Sequence, residues 1–273
     1  MAARNGIAGG GALVDRESSD AAKTAKKAAR ALGNEIFGSV VLSAVAGYVD
    51  TGGYLALFGL FTAHVTGDLV TAAAAMAEGL QGGAWIRLAM VPVFMLAVAL
   101  IALFTRRIGR RGADTLAPLL ALMALALAAF AAAGALVAPH ARRADDWGVA
   151  LIGGLGVAAM GVQNALMKGA LKSFSQTTLM TGNLTQFTID TTEWLFPPRI
   201  EDLRERRRFR RDAARAAQRT GLPLLFFVCG AALGAAGTKL YGLRSLVVPA
   251  AVVALMALVA AIRTRRRRRR TRA

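Results

Sequence analysis

The apolar residues of this chain are gathered into long blocks, at 36–63, 88–105, 115–138, 147–167, 221–238 and 245–262, and most of the charge lies between or beyond them. A helix needs roughly 20 apolar residues, with about 17 to 25 as the working range, to cross the hydrocarbon of a bilayer. A soluble core of the same blocks would need as many amphipathic helices to cover it, and the sequence has none. Composition agrees, with 55% hydrophobic residues and a mean hydropathy of +0.47 over 273 residues. The expected fold is an all-α integral membrane protein.

Charge sets the expected orientation. The formal net charge is +18. It is concentrated in the N-terminal tail (Lys23, Lys26, Lys27, Arg30), the loop Arg106 to Arg111, the segment 199–219 and the C-terminal run Arg265 to Arg270. About six transmembrane helices with both termini in the cytoplasm put all of these on one side, as the positive-inside rule requires. The arginine run has no interleaved aromatics, so no nucleic acid is expected; the basic segments suit anionic lipid headgroups instead. The tail has no apolar core or small-residue cleavage site, so the first block serves as its own insertion signal. One cysteine, Cys229, excludes an intrachain disulfide and a cysteine metal cluster.

The chain then divides into a disordered basic cytoplasmic tail (1–33), a transmembrane domain (34–263) and an Arg-rich cytoplasmic tail (264–273). Within the domain, a first repeat covers about 36–138 and a second about 147–262, with a cytoplasmic basic insert at 197–219. The repeats rest on a polar, glycine-rich phrase that occurs twice, about 115 residues apart. The first copy holds Gly47-Tyr48-Val49-Asp50 and His64-Val65-Thr66-Gly67-Asp68; the second holds Gln163-Asn164 and Thr181-Gly182-Asn183-Leu184-Thr185. The stretch 66–79 is too short to span, so each half carries one short half-helix. An odd number of crossings per half makes the two repeats inverted.

These motifs, with Gly53-Tyr54-Leu55 and Thr177-Thr178-Leu179-Met180, resemble the YoaK-like family of bacterial multi-pass inner-membrane proteins, a domain of unknown function (1275). The resemblance covers most of 36–262. It implies a location in the bacterial cytoplasmic membrane and a fold, and supplies no substrate. The family's first motif usually reads threonine-glycine-asparagine, whereas this chain has Asp68 in the third place.

Asp50, inside an apolar block, costs at least about 2.5–3.5 kcal/mol on insertion scales and therefore calls for a partner or a water-filled cavity. One reading is a proton or cation site; the other is a hydrogen-bond acceptor for a broken helix or for Gln163 and Asn164. Thr66, Asp68, Thr181 and Asn183 suit helix N-caps. Two half-helix N-termini meeting at mid-depth would also favour an anionic group. Gly52-Gly53 reads as a helix break. His64 stands four residues before Asp68, and two such ligands do not make a metal site. The expected substrate or ion site is Tyr48, Asp50, His64, Thr66, Gly67, Asp68, Gln163, Asn164, Thr181, Gly182, Asn183 and Thr185, with no metal or cofactor.

The sequence contains no HExxH, GxSxG or phosphate loop, and Ser43 and Ser173 have no histidine beside them in sequence, so an enzyme is not expected. The expected role is a small secondary transporter or channel-like protein, moving a small molecule or ion. A membrane scaffold that binds lipid or a partner is the alternative.

Overall fold

The computed structural model describes residues 37–79, 82–109, 115–169, 171, 177–178 and 180–270. The tail 1–33, Arg110, Arg111, Ser173 and 271–273 lie outside them. Eight helices are described: α1 (37–56), α2 (Val65–Ala77), α3 (Ala84–Gly109), α4 (Leu116–Val137), α5 (Trp147–Lys168), α6 (Met180–Leu195), α7 (Leu203–Tyr241) and α8 (Val247–Arg270). No strand occurs among the described residues. Four stretches are long and apolar enough to cross a membrane: Ala84–Ile108, Leu116–His140, Trp147–Lys168 and Leu203–Arg266, the last holding both α7 and α8. The chain is a helical membrane protein.

Tight helix contacts give the directions. A Cβ at Gly230 would overlap the Ala44 carbonyl, and one at Gly234 the Tyr48 carbonyl, so α7 runs parallel to α1 with backbone against backbone. Gly153 meets Met90 and Gly161 meets Ala97, so α5 runs parallel to α3. Gly148 meets Val137 and Gly156 meets Phe130, so α4 runs antiparallel to α5. α4 also packs on α8, α2 on α3, and α6 on α7. Gly230 and Gly234 form a G-x-x-x-G pair, the spacing that lets two helices approach in lipid.

Call the end of the bundle that holds residues 57–60, 78–84, 138–147 and 241–247 the upper end. There Gly83 lies against Ala144, and Gly134 against Leu243. Trp85, Trp147 and Tyr241 are exposed at this end. The sides of the bundle expose Met95, Leu96, Leu100, Leu225, Leu233, Leu255 and Leu258. Inside, Leu42, Leu60, Met123, Leu127, Phe130, Ile152 and Met160 form the core.

Two expectations change. The basic segment 197–219 is not a separate element: Asp202 caps Arg204 N–H at 2.8 Å, and α7 then continues for 39 residues into the apolar block. Nothing breaks it, because its polar half is built from arginine and alanine, both strong helix formers, and Pro223 does not end it. Gly52-Gly53 is not a break either, since α1 remains helical to residue 56. These glycines make room instead: a Cβ at Gly52 would lie 2.9 Å from Thr238 Oγ1, and one at Gly53 2.7 Å from Thr62 Cγ2.

Candidate functional site: two folded-back loops on α1 and α5

α1 ends at the upper end in a left-handed turn. Phe58 (φ 54°) and Gly59 (φ 80°) turn the chain, Gly59 N–H donates to the Tyr54 carbonyl at 2.9 Å, and Arg87 of α3 donates to the Phe58 carbonyl at 2.7 Å. This is the helix-ending pattern in which a residue past the end bonds back five positions. The chain then folds back down the side of α1 to the level of Asp50.

Asp50 is 4% exposed and holds that loop. Its Oδ1 accepts the N–H of Thr62 (2.8 Å), the N–H of Ala63 (2.6 Å) and the Thr62 hydroxyl (3.3 Å). Its Oδ2 lies 2.5 Å from His64 Nδ1. Thr62 fits because Gly156 faces it from α5; a Cβ there would come 2.8 Å from Thr62 Cγ2. The His64 ring packs edge-on to Phe61 and to Phe227 of α7, at centroid distances of 6.1 and 5.8 Å. Asp68, in the first turn of α2, accepts the Phe61 N–H at 3.0 Å through Oδ1. It is completely buried. The loop is thus tied from two sides by two carboxylates.

The second copy repeats the device lower down. Thr177 and Thr178 lie beside Gln163 and Asn164 of α5. Gln163 Nε2 donates to Thr177 Oγ1 (2.8 Å) and to the Leu42 carbonyl of α1 (2.9 Å). Thr178 donates to Asn164 Oδ1 at 2.6 Å. The sequence offset of the ties His64–Asp50, Thr177–Gln163 and Thr178–Asn164 is 14 residues in each case. The first loop meets α1 at Asp50 and α5 at Gly156, and Gln163 links the second pair of threonines to α1 at Leu42. Leu42 and Asp50 are about 12 Å apart along α1, and Gly156 and Gln163 about 10 Å apart along α5, at 1.5 Å per residue.

The expected site residues divide into two groups. Asp50, His64, Gly67 and Asp68 come together, as do Gln163 and Asn164. Asn183 is buried on the first turn of α6, with its amide 3.9 Å from the Met180 sulfur. Tyr48 turns toward the α7–α8 connection, its hydroxyl 3.4 Å from the Ser245 carbonyl. Thr66, Thr181, Gly182 and Thr185 are exposed, and the Thr185 hydroxyl bonds its own helix at Thr181. The N-cap expectation for α2 is corrected: it begins at Val65, after His64, so Thr66 and Asp68 lie within its first turn. Thr181 and Asn183 likewise lie inside α6, which begins at Met180. The bonds seen at Asp50 come from the loop that follows α1, and not from a break in the helix or from Gln163 and Asn164.

Sequence reading missed Thr62 and Arg87. The 14-residue offset would have flagged Thr177 and Thr178, and a lone arginine at the head of an apolar block would have flagged Arg87. Among the described residues, no group of three or more His, Cys, Asp or Glu is placed to hold a metal ion. A family model described as a protein of unknown function (DUF1275) matches residues 38–259. No curated protein and no solved structure gives a significant match.

Proposed function

From a chain that belongs to the DUF1275 family of proteins of unknown function, we propose a small secondary transporter or channel-like protein of the bacterial cytoplasmic membrane. Its substrate site lies between two inverted repeats. The observation that carries this reading is the pair of polar loops folded back to mid-depth on α1 and α5 with a common 14-residue offset. Non-helical backbone at membrane depth is tolerated where it is buried in protein or lines a cavity, and in transporters such broken segments mark the site.

Helix pairing supports the repeat. Matching α1–α4 to α5–α8 turns the α2–α3 pair into α6–α7, turns the parallel α3–α5 pair into the parallel α7–α1 pair, and maps the α4–α8 pair onto itself. α1 and α5 run in opposite directions, so the relation is an inversion. The six spans are then α1, α3, α4, α5, α7 and α8, and α2 and α6 are half-helices. Their N-termini lie at mid-depth, α2 leading to the upper end and α6 to the lower. Arg106, Arg107, the basic half of α7 and the arginines of α8 fall at the lower end, which is the cytoplasmic one under the positive-inside rule. Trp85, Trp147 and Tyr241 fit the opposite interface. Single cysteines at Gly82 and Arg107, in a protein lacking Cys229, should react from opposite faces of the membrane; reaction from the same face refutes the topology.

The functional test is a thermal-stability screen of the purified protein against ions and metabolites at several pH values. An Asn164→Ala, Asn183→Ala variant is the control. A ligand at about 100 times its dissociation constant stabilises by roughly 2.7 kcal/mol. Stabilisation lost in the variant, followed by flux of that ligand into proteoliposomes, supports the reading. A ligand that stabilises both proteins equally and does not cross refutes it. One observation favours a scaffold instead: the donors that hold Asp50 all come from the adjacent loop, so its bonds are complete without a substrate.

A further inference from the structure

The two carboxylates of the first loop are not equivalent. Both oxygens of Asp50 have partners: Oδ1 accepts two N–H groups and the Thr62 hydroxyl, and Oδ2 meets His64 Nδ1. Asp68 receives one donor, the Phe61 N–H on Oδ1. Its Oδ2 is fully buried and has no hydrogen-bond partner among the described residues. The charged groups that face Asp68 are Arg87 of α3, Asp50 of α1 and His64 of the loop. His64 is engaged by Asp50, and Arg87 donates to the Phe58 carbonyl. Among the described residues, no cation is bonded to Asp68.

We propose that Asp68 is a proton-binding site, while Asp50 with His64 staples the loop from the other side. A bare carboxylate oxygen shut away from water and from donors is among the costliest buried groups, and a proton removes the charge at once. Because Asp68 is 0% exposed, a proton is the ligand that reaches Oδ2 without repacking its surroundings. Oδ1 of the same carboxylate holds the Phe61 N–H, one residue before the pair held by Asp50. Neutralising Asp68 therefore weakens one of the two ties on the loop and leaves the other intact. Proton binding is in this way connected to the position of the loop and of the α2 N-terminus. The proposal deepens the transporter reading by naming the coupling ion and the residue that carries it.

The test is infrared difference spectroscopy of the purified protein in lipid nanodiscs, following carboxylic-acid C=O bands through a pH titration. Wild type should show a titrating band that disappears in Asp68→Asn. No such band in wild type, or a band that persists in Asp68→Asn, overturns the proposal. If Asp68→Asn does not fold, Asp68→Glu decides: a band displaced from its wild-type position supports the assignment, and an undisplaced one overturns it. Flux is read separately. A titrating Asp68 without flux of any ligand keeps the proton site and sinks the transporter reading. Flux without an Asp68 band does the reverse.

Discussion

Replacing Asp50 by alanine removes the acceptor of two backbone N–H groups at once, those of Thr62 and Ala63, at 2.8 and 2.6 Å. Each buried donor left without a partner costs about 1–3 kcal/mol, so the two together cost roughly 2–6 kcal/mol, with the Thr62 hydroxyl at 3.3 Å adding little. That is a large share of the ~5–15 kcal/mol that holds an ordinary domain together. Asp50→Asn keeps one oxygen in place for both N–H groups and loses chiefly the charge assistance and the contact with His64. Its cost should stay below about 2 kcal/mol. The assay is equilibrium unfolding in mixed micelles, read by tryptophan fluorescence. The expected order is wild type, then Asn, then Ala. An alanine variant within about 1 kcal/mol of wild type would falsify the view that this carboxylate anchors the loop.

Four further outcomes follow from the same geometry. Gly234→Val should abolish the monodisperse protein in gel filtration, because its Cβ would meet the Tyr48 carbonyl and a backbone cannot step aside; normal elution contradicts the α1–α7 packing. Gly182→Ala should stabilise α6 by about 0.5–1 kcal/mol, since the glycine is exposed with nothing within 4 Å of its Cβ position, and destabilisation would show that the motif glycine is needed for more than a helix. Arg87→Met should lower stability by about 0.5–1.5 kcal/mol by removing the donor to the exposed Phe58 carbonyl, with an unchanged midpoint as the contrary result. Asp146, in the exposed turn between α4 and α5, accepts the N–H of Arg143 and of Arg142, and these bonds hold its carboxyl below the usual carboxylate range. Its contribution to the turn is therefore present above the ordinary carboxylate pKa and lost as pH falls through the lower, folded one. Hydrogen exchange at Arg142 and Arg143 should accelerate only in that acidic window; acceleration at neutral pH would contradict it.

The helical class, the apolar blocks, the shortness of α2 and the twice-written polar phrase were legible in the sequence because each depends on local properties. Hydropathy over a block and the spacing of glycine, threonine and carboxylates mean much the same wherever the segment is placed. What each polar residue does was decided by the tertiary structure. Gln163 serves a carbonyl 121 residues away, on Leu42. The roles of Gly53 and Gly156 become readable only when Thr62 is seen between them. Asp50 and Asp68 are the same residue type in one copy of the phrase, yet one has partners on both oxygens and the other has one oxygen left bare among the described residues. In a medium without water, a buried polar atom is governed by which donors the fold brings to it. That inventory depends on chain segments far apart in sequence, so only the packed structure could decide it.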